Sequence, residues 1–121
     1  MANTPLIEGS ILTDVKKLLG IAEEYEVFDP DILMYINSAL VSLNQSGDGR
    51  ETPFRVEDKN NKWSEITTEP FVDMIKTYLW ARVKTYFDPP PTSYAATALN
   101  EQIREMEWRL NVASDGRIYA S

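Results

Sequence analysis

The chain contains no histidine and no cysteine, which leaves carboxylates as its main candidates for acid-base and metal chemistry. Two carboxylate groups have suggestive spacing. Asp29 and Asp31 flank Pro30, and Glu101 and Glu105 stand four residues apart with Glu107 just beyond. Paired carboxylates can act as acid and base or hold a divalent cation. Neither group is followed by a wider ligand pattern. Asp29-Pro30-Asp31 reads as a helix start, with Asp29 as cap, Pro30 at the first helical position and Asp31 at the positive end of the dipole. Glu101, Glu105 and Glu107, interleaved with Arg104 and Arg109, read as a solvated, ion-paired helix surface. Nucleophilic Ser-His-Asp and Cys-His arrangements are impossible, and GxxxxGK[ST], GxGxxG and GxSxG are all missing. The di-iron bundle pattern fails for want of histidine. We expect no enzyme, no cofactor and no metal.

Binding chemistry is better represented. Trp80 and Arg82 lie on one apolar segment, and Trp108 with Arg109 on the next. Tryptophan and arginine are enriched at the energetic centres of protein interfaces. Trp80 falls away from the Ile75-Leu79-Val83 stripe, and Trp108 falls off the Leu99-Ile103-Met106-Leu110 seam. Together they predict an apolar surface that binds a partner or a second copy. The closing Arg117-Ile118-Tyr119 is read either as a contact arm, able to add a strand to another sheet edge, or as a frayed terminus.

These residues need elements to position them. Residues 1–9 read as a flexible arm. Ile11, Leu12, Val15, Leu18 and Leu19 fall at helical spacing, with Lys16-Lys17 placed on the opposite face and Gly20 as the stop. After an acidic connection, Ile32, Ile36, Ala39, Leu40 and Leu43 form the buried stripe of a second helix that ends near Asn44. Phe54-Arg55-Val56-Glu57 alternates like a strand, and Lys62 to Ile66 would return, so a β-hairpin is expected within residues 50–67, with Trp63 either pinning it to the helices or facing a partner. The spine is a helical hairpin over residues 69–112. Its first helix, Glu69 to Phe87, is apolar on most faces and is therefore expected to be surrounded by protein. Asp88-Pro89-Pro90-Pro91 ends it, and Thr92-Ser93 caps a second helix with the seam Ala95, Leu99, Ile103, Met106 and Leu110. A short corner predicts antiparallel neighbours. The expected fold is mainly α: about four helices in one domain, residues 1–121, with a C-terminal arm from 113 to 121.

Composition narrows the partners. Nineteen acidic residues against twelve basic ones give a net charge of −7, which argues against a broad nucleic-acid-binding surface. No signal-peptide pattern and no apolar run of about 20 residues occurs, so a soluble, intracellular protein is expected.

The order of landmarks resembles the phage head-tail connector proteins, also called adaptors or head-completion proteins, of tailed phages and prophages. The matching stretches are Ile11-Leu12-Thr13-Asp14-Val15-Lys16-Lys17-Leu18-Leu19-Gly20, Phe28-Asp29-Pro30-Asp31-Ile32-Leu33 and Ile36-Asn37-Ser38-Ala39-Leu40. Gly47, Phe54-Arg55-Val56 and Trp63 follow, then Val83-Lys84-Thr85-Tyr86-Phe87-Asp88-Pro89-Pro90 and Glu105-Met106-Glu107-Trp108-Arg109-Leu110-Asn111. The resemblance implies a structural protein that assembles as a ring, commonly twelve-fold, beneath the portal at the head-tail junction of the virion. Such a ring extends the DNA channel without sequence-specific contacts and docks a stopper or tail-completion protein, after assembly in the host cytoplasm. The implied partners are further copies of the chain, the portal and the stopper, with no membrane. The other reading is a helical adaptor or regulatory module unrelated to virions.

Overall fold

A computed structural model describes residues 6–45 and 54–114. Four α-helices are present among them: α1 (Ile11–Leu18), α2 (Asp29–Gln45), α3 (Val72–Phe87) and α4 (Ser93–Ser114). Short 3-10 turns precede α1 at Leu6–Glu8 and α3 at Glu69–Phe71, and a third lies at Trp63–Glu65. The mainly helical expectation holds.

A serine cap starts α1, and the expected glycine stops it. Ser10 Oγ accepts the Thr13 N–H at 3.2 Å, capping the first turn. Gly20 has φ +83°, and the Gly20 and Ile21 N–H groups donate to the Lys17 and Lys16 carbonyls at 3.0 and 2.9 Å. This is the two-bond closure that a left-handed residue after the helix permits. In α2 the start lies one residue earlier than its proline suggests. Asp29 is already helical, and the Phe28 carbonyl accepts the Ile32 N–H at 2.9 Å.

At the centre stands α3, packed against α1, α2 and α4. Ile75, Tyr78, Leu79, Ala81 and Val83 are buried on it, meeting Ile32, Ile36, Ala39, Leu40 and Leu43 of α2 and Leu99, Ile103 and Leu110 of α4 in one core. Ala95 and Met106 of the expected α4 seam are half-buried. Asp88 closes α3 through its N–H to the Lys84 carbonyl at 3.0 Å. Thr92 then opens α4, its Oγ1 accepting the Ala95 N–H at 3.1 Å.

The β-hairpin expected within residues 50–67 is not formed: the described residues contain no strand. The alternation that suggested it is real, since Val56 is buried while Arg55 and Glu57 are exposed. A side chain replaces the second strand. Asn37 of α2 donates from Nδ2 to the Val56 carbonyl at 2.9 Å and accepts the Val56 N–H on Oδ1 at 2.8 Å. That reproduces the paired bonds of an antiparallel ladder at a single residue. The Asn61 Oδ1 then accepts the Glu57 N–H at 2.7 Å. Lys62 pairs with Ser10 in an isolated antiparallel bridge, and Trp63 begins a 3-10 turn where a return strand was expected. Side-chain amides satisfy this backbone, so it needs no ladder.

Candidate functional site: the α4 surface and its internal support

The four interface candidates on α3 and α4 fall into two environments. Trp108 is 66% exposed on the outer face of α4, with Val112 one turn beyond at 52%, and Tyr94 at the opposite end of the helix is 85% exposed. Arg109 is exposed beside it and forms an (i, i+4) pair with Glu105, its Nη2 at 2.7 Å from Oε2. The ion-paired helix surface expected for Glu105 and Arg109 is thus present. A pair this exposed stabilises the helix only slightly. Arg109 also borders a groove of about 450 Å³ between α3 and α4, lined by Met74, Thr77, Gln102 and Met106.

Trp80 and Arg82 lie deeper. Trp80 is half-buried and packs against the core. Arg82 holds three helices together: Nε donates to the Tyr78 hydroxyl at 3.2 Å, and Nη2 lies 3.2 Å from Glu107 Oε2. The same Nη2 meets the Ser42 hydroxyl of α2. Tyr78 in turn donates to Glu107 Oε2 at 2.8 Å. Burial, then the hydrogen bond to Glu107, pushes the Tyr78 hydroxyl pKa well above its ordinary value. Burial works against the Arg82 charge, but Tyr78 and Glu107 more than offset it and hold the guanidinium above its usual value. Glu107 therefore belongs to an internal clamp rather than to the solvated carboxylate surface expected for it. Tyr78 is fully covered, so its hydroxyl is closed to solvent.

Trp63 anchors the extended segment, as one of its two readings had it. The indole is buried, and its Nε1–H donates to Asp14 Oδ2 at 2.8 Å. Lys76 reaches the same carboxylate at 3.4 Å and stands 5.5 Å from the indole ring centre.

Lys16 departs from expectation. It is buried, not on an exposed opposite face, and only Lys17 points outward. The α1–α2 connection folds over it: Lys16 Nζ donates to the Glu23 carbonyl at 2.8 Å and pairs with Asp29 at 2.9 Å. A long stem lets lysine cross apolar surface and place its ammonium among acceptors. Asp29 thus serves as the partner of a buried cation.

The sequence marks that connection as acidic, without singling out its aromatic residues. Glu23, Glu24 and Glu26 are exposed on it, as are Tyr25 and Val27, and Phe28 is partly so. Tyr25 and Phe28 meet edge-on at 5.7 Å between ring centres, and Phe28 meets Phe87 at 5.1 Å. The signal was legible: a carboxylate run with aromatic residues inside it.

Arg117, Ile118 and Tyr119 lie outside the described residues. Among those described, no group of three or more acidic, His or Cys side chains could hold a metal, and no helix is long and apolar enough to cross a membrane.

No curated protein and no solved structure matches the chain. A family model described as phage connector protein matches residues 11–117, from the first residue of α1 to beyond the end of α4. With nearly the whole chain inside that match, and a helical fold among the described residues, the chain belongs to the phage connector protein family.

Proposed function

We propose that this phage structural protein acts as a head-tail connector, forming a ring beneath the portal that extends the DNA channel and docks a stopper or tail-completion protein. In this reading the whole chain, residues 1–121, is one domain built on an antiparallel α3–α4 hairpin. It assembles in the host cytoplasm and ends in the virion at the head-tail junction.

The observation that carries the reading is Trp108, two-thirds exposed on the outer face of α4. A side chain this large and apolar, flanked by Arg109, has the composition of an interface anchor awaiting its partner. Trp80 and Arg82 act from beneath, Trp80 by packing and Arg82 by tying α4 to α2. Arg117, Ile118 and Tyr119 extend the contact from the C-terminal end. The net charge of −7 suits a channel wall, since clustered phosphate contacts would retain DNA rather than pass it. A ring requires two different mating patches on each protomer, because its contacts are heterologous.

The test is sedimentation and electron microscopy of the purified protein, with and without portal. Trp108→Ala and Arg109→Ala should weaken assembly while leaving helicity and melting temperature unchanged. A protein that stays monomeric and ignores portal and stopper would defeat the proposal.

A further inference from the structure

The ring reading leaves open which surfaces mate. We propose that the outer stripe of α4, carrying Arg104, Trp108 and Val112, docks on the acidic α1–α2 connection of a second copy; this inference rests on the ring reading above.

The two surfaces are alike in apolar content, and the cation Arg104 on the stripe suits the acidic connection, although the exposed Glu101 shares that side of α4. Arg104, Trp108 and Val112 stand at successive steps of four and share one side of α4. All three are exposed. Arg109 is held by Glu105 and Arg82 by Glu107. Arg104 has no ion pair among the described residues, which leaves it as the available cation beside an exposed indole. The α1–α2 connection presents the converse: Glu23, Glu24 and Glu26 are exposed with no ion pair among the described residues, interleaved with Tyr25, Val27 and Phe28. Its backbone is fixed, because Lys16 grips the Glu23 carbonyl from below and Phe28 packs on Phe87. Lys59 borders the same hollow and offsets part of its negative charge. A rigid acidic patch with aromatic faces suits a guanidinium and an indole, through charge-assisted hydrogen bonds and cation–π contact.

Geometry makes the contact intermolecular. Phe28 touches Phe87, the last residue of α3, one corner before α4 begins. Trp108 lies fifteen residues beyond Ser93, about 22 Å along the helix axis. Phe28 and Trp108 therefore lie toward opposite ends of α4, farther apart than a side chain reaches. A patch at one end that fits a patch at the other joins copies head to tail, the arrangement that closes a ring.

Charge exchange tests the pairing on the full chain. One variant carries Arg104→Glu with Arg109→Glu, so both mating surfaces become acidic. The other carries Glu24→Arg with Glu26→Arg, so both become basic. Each alone should self-associate on the order of tenfold more weakly than the natural chain, with unchanged helicity by circular dichroism. Mixed in equal amounts they should co-assemble, because each supplies the surface the other lacks. Natural chain that assembles, alone or on purified portal, while either variant matches it or the mixture stays dissociated would overturn this pairing and leave the ring standing. Natural chain that assembles under neither condition would overturn the ring reading, and this pairing with it.

Discussion

Replacing Asn37 with alanine removes one side chain and orphans two backbone groups. Asn37 is nearly buried and Val56 is 1% exposed, so water cannot take over the bonds to the Val56 N–H and carbonyl. An unsatisfied buried polar group costs about 1–3 kcal/mol, so two cost about 2–6 kcal/mol. Domains of this kind are stable by only about 5–15 kcal/mol, and the melting temperature should fall on the order of 10 °C. The loss should begin locally. The segment from Phe54 to Glu57 has no strand beside it, so hydrogen exchange at the Val56 amide should accelerate by about a hundredfold or more, in line with the same free energy. Exchange in the middle of α3 should change only as far as global stability does. Asn37→Asp sharpens the test. The carboxylate keeps an acceptor for the Val56 N–H but faces the Val56 carbonyl with a second acceptor; once protonated, it donates again. That variant should recover stability as pH falls through the carboxylate range, opposite to ordinary acid destabilisation. A stability change below about 0.5 kcal/mol in Asn37→Ala, with Val56 exchange unaltered, would show that the amide does not hold this segment.

Two further outcomes follow from the core and from the end of α1. The Tyr78 hydroxyl has its pKa raised in the folded state, so its contribution is complete below its unfolded value near pH 10 and is lost as pH rises toward the folded value. The stability advantage of the natural chain over Tyr78→Phe should therefore shrink by about 1 kcal/mol between about pH 9 and pH 11 in urea titrations; parallel curves would contradict it. Gly20→Ala meets no atom within 4 Å of the new Cβ, so only the left-handed backbone at φ +83° is penalised. A loss of about 1 kcal/mol in thermal unfolding is expected, and a loss several times larger would mean that the contacts around Gly20 are wrongly described.

Local patterns carried by the sequence reached a long way. Helical periodicity placed all four α-helices, because one buried stripe repeating every three or four residues leaves a helix little choice of face. Gly20, the proline corner and Thr92 marked ends correctly, since capping is chemistry between near neighbours. The order of such landmarks sufficed to suggest the connector family. The same pattern set Trp108 off the α4 seam, and its side chain is exposed.

Tertiary structure decided whatever depends on partners distant in sequence. Alternation from Phe54 to Glu57 shows which side chains face inward but cannot show what bonds the backbone, and here an amide nineteen residues earlier does so in place of a strand. Lys16 carries a charge that sequence logic sends to solvent; only the fold shows the α1–α2 connection closing over it with a carbonyl and Asp29. Glu107 and Arg82 each looked like surface chemistry and proved to be halves of one internal clamp. Burial of apolar residues is set by periodicity, a property of the segment itself. The destination of a polar group is set by whichever acceptor or donor the packed chain brings within about 3 Å, and that is a property of the whole.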